Sequence, residues 1–343
     1  MGIEIGQATR AEWDRCIGQS SHATVFHQSA MLDLLADLAD AYLHLLVGYK
    51  GEQPVGLLPL FETRRGPFTE LRSPPQSVQV MCQGPLLVRN DGVKQRRAEK
   101  DHRRFVDACW EWMGEEVDPG FVELRCVDRY ADVRPYLWNG FEATPEYVYI
   151  VDVGADRETL RDGLAKETRR QVRNTDEDAY ELVEGGVETT RAIAEQVQER
   201  YAEQERAYGL TPEFLATVHE QLPDEQVHPY AVEVDGEFVG GLFTLAYGDT
   251  MHVWQGGVQT DADLPVNELL YWHAIESAAA MDLDRLDLTT AMVPSLADFK
   301  AKFGGEPRTT MTVTWQSQAS RATEFGYQAL PESGQSVLQT FVS

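Results

Sequence analysis

Lysine is scarce in this chain, with 6 residues against 24 arginines in 343 positions. Cysteine is thinner still. Cys16, Cys82, Cys109 and Cys126 are widely spaced, with no CxxC and no adjoining histidine pair. Such spacing excludes the usual metal-site and disulfide frameworks and fits buried thiols in a reducing compartment. HExxH, GxGxxG and Walker sequences are all missing. No apolar run is long enough to cross a bilayer. No basic segment leads into an apolar stretch at the N-terminus, so export by a signal peptide is not expected and the expected location is cytoplasmic.

Basic charge is also short. The 56 acidic and 30 basic side chains leave a formal net charge of -26. A surface of that sign repels polyanions over about a Debye length, which argues against general nucleic-acid coating. Surplus acid with little lysine suits concentrated salt, so a halophilic origin is expected. Molar salt shortens screening to roughly 3 Å, and under those conditions an anionic ligand is acceptable.

What is present is enough for a substantial core. Hydrophobic residues make up 43% of the chain, and this length divides more naturally into two domains than one. Strand and helix patterns alternate in α/β fashion, and the order repeats. Leu45 to Leu58 and Tyr230 to Phe243 each read as strand, glycine turn and strand with an early glycine. Each half then gives helix, strand, helix, an aromatic–glycine pair (Gly140-Phe141 and Phe303-Gly304) and strand. The reading is two tandem domains of similar topology, 1–153 and 154–316, followed by a loosely packed tail, 317–343. Asp156 is expected to cap one long polar helix to about Asn174. Another helix is expected from Tyr130 to Trp138. A third follows Pro265, with Val266, Leu269, Leu270, Ala274 and Ala278 on one buried face.

Four cations stand out. Lys166, Arg169, Arg170 and Arg173 lie at i, i+3, i+4 and i+7, which lines them along one helix face. They offer arginine forks to a phosphate or carboxylate; the competing reading pairs them with the chain's own acids. Lys300 and Lys302 flank Ala301 beside a glycine pair, where a lysine can steady an oxyanion or phosphate. Their plainer role is to favour a helix C-terminus. Trp254-Gln255-Gly256-Gly257 ends a strand, and its glycines allow close approach of a ligand backbone or a bulge. Asn267 is placed to hold a substrate group or to satisfy local backbone. His252, Glu268 and His273 are the nearby groups able to take a proton from an amine, each also readable as structural.

Leu164-Ala-Lys-Glu-Thr-Arg-Arg-Gln-Val-Arg173, the Gly-Gly strand end, Pro265-Val-Asn-Glu-Leu-Leu270 and Phe299-Lys-Ala-Lys-Phe-Gly304 occur in that order. Together they resemble the Fem-type transferases of the GNAT superfamily. Glu70 to Pro75 and Gly84 to Leu87 are similar to the first domain of that group. The resemblance spans about residues 1 to 315 and implies two tandem GNAT-like domains. It implies transfer of an acyl group (acetyl, longer acyl or aminoacyl) to a primary amine by direct attack. It implies a substrate-contacting lysine at Lys300 or Lys302, and a basic helix at Arg169, Arg170 and Arg173. Acyl-CoA is then a co-substrate rather than a tightly bound cofactor. The interval from Thr190 to Glu220 is too short for the coiled-coil arm that helps hold tRNA, so aminoacyl-tRNA is the disfavoured donor. The base is His252 or the substrate itself, and backbone N–H groups at Gly256–Gly257, or a lysine, are the candidate oxyanion donors. The alternative reading is a non-catalytic module that binds an anionic metabolite or docks a protein on a degenerate GNAT fold.

Overall fold

The computed structural model describes residues 2–76, 78–88, 93–258 and 262–322. Most of the expected loose tail, from residue 323 on, lies outside the described residues.

The first half runs β1 (Glu4–Gln7), α1 (Arg10–Ile17), α2 (Ser29–Leu38), β2 (Tyr42–Lys50), β3 (Gln53–Arg65) and β4 (Phe68–Ser73). It continues with β5 (Leu86–Leu87), α3 (Gln95–Glu116), β6 (Phe121–Arg125), α4 (Arg134–Trp138) and β7 (Glu142–Asp152). After α5 (Arg157–Gly163) and α6 (Lys166–Asn174), the same order returns. It runs β8 (Glu181–Glu184), α7 (Val187–Glu203), α8 (Pro212–Gln221), β9 (Val227–Val234), β10 (Glu237–Tyr247) and β11 (Thr250–Gly256). Then come α9 (Val266–Ala280), β12 (Arg285–Thr290), α10 (Pro294–Lys300) and β13 (Glu306–Gln316). The two halves share a topology.

They do not form separate sheets. The strand order is β1-β2-β3-β4-β6-β13-β7-β12-β11-β10-β9-β8, with β5 on β3. The last strand of each half has changed sides: β7 pairs with β12 of the second half, and β13 pairs with β6 of the first. The two exchanged strands also pair with each other along most of their length. Each half therefore completes the sheet of the other.

Apolar burial fastens the halves a second time. Trp13, Leu32 and Leu35 from α1 and α2 share one core with Ile193, Leu215 and Phe243 from α7, α8 and β10. Fully burying side chains of this kind contributes about 1.5–3 kcal/mol each. The outer faces carry separate cores, one under α3 and one under α9. The repeated early glycine has a packing reason in both halves. A Cβ on Gly56 would meet the Phe105 ring at 2.6 Å, and one on Gly241 would meet Ile193 at 2.5 Å. A helix side chain presses on the strand at both places, although the two helices are not equivalent.

Three expectations need correction. The single helix from Asp156 to Asn174 is two helices. Leu164 turns into the core, and the Ala165 N–H donates to the Lys302 carbonyl at 2.8 Å instead of continuing the helix. The helix expected from Tyr130 begins at Arg134, with Pro135 in its first turn, where its fixed φ is accommodated. That leaves Asp128 and Arg129 in a loop able to reach the second half. Finally, α9 buries Tyr271, Trp272 and Ile275 as well as its expected face. It lies between the sheet and α5 and α6, so little of it meets water.

Candidate active site

Strands β11 and β12 are parallel and paired only where Thr250 to His252 face Arg285 to Asp287. Beyond that point they part. On β12 the cause is Thr289, which has φ 64, an unfavourable backbone for a β-branched residue. Two contacts hold it there. Its N–H donates to Asp287 Oδ1 at 2.7 Å, and its hydroxyl accepts from Lys300 Nζ at 3.1 Å. The pairing of β12 with β7 shifts register between Asp287 and Thr290. On β11, Gly256 and Gly257 have φ 105 and 67, and a Cβ on Gly256 would lie 2.2 Å from the Gly241 carbonyl. Glycine is required there by the backbone itself. The Gly257 N–H donates to Gly241 O at 2.9 Å, so this expected oxyanion donor is already engaged.

Beside the parting strands a narrow cleft lies between the halves. Phe26 and Cys82 come to it from the first half, His252 and Trp254 from β11, and Asp287 and Thr289 from β12. Two ion pairs brace its rim across the halves, Arg129 to Asp249 at 2.6 Å and Arg285 to Asp128 at 2.5 Å. Trp254 reaches across as well, donating from Nε1 to the Gln79 carbonyl at 3.0 Å.

His252 is the chemically notable group in this wall. Its Nδ1 lies 3.2 Å from Asp287 Oδ2, while its Nε2 is buried and has no hydrogen-bond partner. The ring is 5% exposed and meets Phe26 edge-on. Burial opposes the charge on Asp287, but the His252 hydrogen bond and charge, the Thr289 N–H and the Lys300 ammonium together hold its carboxyl below the usual value. A carboxylate behind one ring nitrogen and an unpartnered lone pair at the other fit a general base.

The two lysines part company. Lys300 is buried and points inward, donating to the Thr290 carbonyl at 2.7 Å as well as to Thr289. Lys302 is half-exposed, lies over the Phe299 ring and sits 3.7 Å from Glu268. Neither lines the cleft. Burial pushes the Lys300 amine down from 10.5 to about 8, against the pull of Asp287. The folded chain thus binds this proton more weakly than the unfolded chain does. The cost is complete below about pH 8 and fades as pH rises toward 10.5. Wild type should gain on the order of 3 kcal/mol from this group over that interval. Denaturant titrations of Lys300→Met should lack that part of the slope, and an unchanged slope would put the amine in solvent.

The basic helix α6 forms a second neighbourhood. Arg169 pairs with Asp162 at 2.7 Å, as the competing reading proposed for the set. Lys166, Arg170 and Arg173 have no acidic partner among the described residues. Arg170 opens onto a shallow hollow with Asn174, Asp263 and Pro265, beside the start of α9. Asn267 Oδ1 there is buried without a partner. His273 packs edge-on against Tyr230, away from the cleft. The structure therefore gathers His252 and Trp254 at one place, and Arg170, Asn267, Glu268 and Lys302 around the start of α9. Gly256 and Gly257 lie at the end of the strand that connects them. Asp287, Thr289, Arg285 and Asp128 were not anticipated. The signal in the sequence was Arg285-Leu-Asp287-Leu-Thr289, polar at alternate positions of a strand whose other face is apolar.

Parallel strands that separate beside a helix N-terminus match the outcome of comparison with known proteins. Residues 163–301 match the model of the acetyltransferase (GNAT) domain. This segment is a GNAT domain. The chain has the fold of FemX over 92% of its length and 98% of that chain, with a TM-score of 0.74 and 10% identity. It is also similar to the C-terminal domain of a putative lysylphosphatidylglycerol synthetase from Agrobacterium fabrum (TM-score 0.54, 11% identity, coverage 91% and 94%). A tandem GNAT protein from the clavulanic acid biosynthesis pathway aligns at TM-score 0.50 and 14% identity, over 92% and 98% of the chains. No curated protein matches in sequence. The chain thus shares the FemX fold over most of its length, and the GNAT match at 163–301 supports acyl transfer as the general chemistry. Among the described residues no helix is long and apolar enough to cross a membrane.

Proposed function

We propose that the chain is an N-acyltransferase that holds a primary amine in the cleft between its halves, with His252 as the base. The observation that carries this is the buried, unpartnered Nε2 of His252, backed by Asp287 and placed where β11 and β12 part. The amine nitrogen attacks the donor carbonyl and a C–N bond forms. Its proton passes to His252 Nε2. The bond from carbonyl carbon to the donor's leaving atom then breaks, and that atom takes up a proton as the leaving group departs. No acyl-enzyme is required, and most of the rate comes from holding the two reactants together. Trp254 and Phe26 supply apolar walls that keep water away from the reacting carbon.

The donor is anionic on this reading, with its charge near Arg170 and Arg173 and its acyl end between the parting strands. Acyl-CoA and aminoacyl-tRNA both meet that description. Acyl-CoA is favoured, because α7 and α8 leave no long arm to hold tRNA. Lys302 is the lysine with access to the donor, whereas Lys300 serves through Thr289. The acidic surface supports work in concentrated salt inside a cell.

Incubation with acetyl-CoA, longer acyl-CoAs or aminoacyl-tRNA and a panel of primary amines, read by mass spectrometry, tests the proposal. Amide product with at least one pair is expected. Donor binding by calorimetry without transfer to any amine would favour the non-catalytic alternative.

A further inference from the structure

We infer that Asp287 is a positioning residue with two separate tasks, fixing the tautomer of His252 and keeping β12 apart from β11. This rests on the reading of His252 as the base. Each carboxylate oxygen has its own neighbour: Oδ2 lies 3.2 Å from His252 Nδ1, and Oδ1 accepts from the Thr289 N–H at 2.7 Å. The first contact favours the ring proton on Nδ1 and leaves Nε2, buried and unpartnered, with its lone pair. The second bond holds Thr289 at φ 64, where a threonine does not rest unaided. Lys300 secures the same turn from behind, through the Thr289 hydroxyl and the Thr290 carbonyl. The nearby carboxylates on the rim have partners of their own: Asp128 pairs with Arg285 and Asp249 with Arg129. His27, also close to His252, is bonded to Thr24 and Gly84.

The two tasks separate in variants, because asparagine has one acceptor oxygen where aspartate has two. Asp287→Asn can serve His252 or Thr289 but not both. Thr289→Gly removes the need for the second bond, since glycine adopts positive φ freely. The double variant Asp287→Asn/Thr289→Gly should then return the remaining oxygen to His252.

Two measurements on the full chain need no natural substrate. One is the imidazole ¹⁵N spectrum at a pH where the ring is neutral, with His252 assigned by its loss in His252→Gln. The other is the rate at which diethyl pyrocarbonate acylates His252, followed by peptide mass spectrometry. Wild type should show the Nδ1–H tautomer. Asp287→Asn should mix the tautomers and slow acylation about tenfold, and the double variant should recover to within about twofold of wild type. An unchanged tautomer in Asp287→Asn would overturn the first task, and a double variant no better than the single one would overturn the second. If Asp287→Asn fails to fold, Thr289→Gly alone decides the second task. Its melting temperature should exceed that of Thr289→Ala, which loses the same hydroxyl contact with Lys300 but keeps a Cβ at positive φ, and a Thr289→Gly no more stable than Thr289→Ala would show that no strain was being held. None of these outcomes depends on whether transfer occurs, so the base reading stands or falls separately.

Discussion

His252→Gln should lower acyl transfer by about 10²–10⁴-fold while leaving the melting temperature and donor affinity nearly unchanged. Glutamine fills a similar volume and can still face Asp287, but it cannot accept a proton at neutral pH. The loss should appear in kcat, because the imidazole acts on the amine during attack and not on the donor at rest. Equal kcat in wild type and variant would remove His252 from the chemistry and point to an amine that loses its proton directly to water.

The second large effect concerns the donor. Reversing the two forks that lack an acidic partner, Arg170→Glu with Arg173→Glu, should raise the donor KM by about 10–100-fold with kcat changed little. Charge-assisted hydrogen bonds contribute about 1.5–3 kcal/mol each, and these side chains lie on the exposed face of α6, where solvent reduces that figure. Arg169→Glu should do less to the donor, because its guanidinium is already engaged with Asp162 at 2.7 Å. A KM unchanged in the double reversal would place the donor's charge elsewhere, with Lys302 the next cation to examine.

The repeat was legible because it is written locally: hairpins around Gly51 and Gly236, the helix cap at Asp156 and the apolar period along α9. The exchange of β7 and β13 was not legible. Which strand lies beside which is decided by pairing between segments far apart in the chain, and alternation within one strand carries no record of its neighbour. The break between α5 and α6 escaped for a related reason, since it depends on a carbonyl at Lys302 that sequence order does not bring near.

The site shows the same division. His252 and Trp254 could be proposed because they sit beside a Gly-Gly strand end. Asp287 could not be matched to His252 without knowing that β11 and β12 pair in parallel register at those two residues. The lysine pair misled most. Two residues of separation across a helix end send the side chains in different directions, so Lys300 turns inward to the β12 backbone while Lys302 meets solvent and Glu268. Scarcity of lysine drew attention to both and could not distinguish them.

The claim that the amine occupies the interlobe cleft is tested most directly by filling that cleft. Ala23 lies on its wall in the first half, away from His252 on β11. Ala23→Trp should reduce acyl transfer at least about 100-fold, while calorimetry shows the donor still bound and circular dichroism shows the fold intact. Transfer at the wild-type rate by a folded Ala23→Trp protein would mean that the acceptor never enters this space.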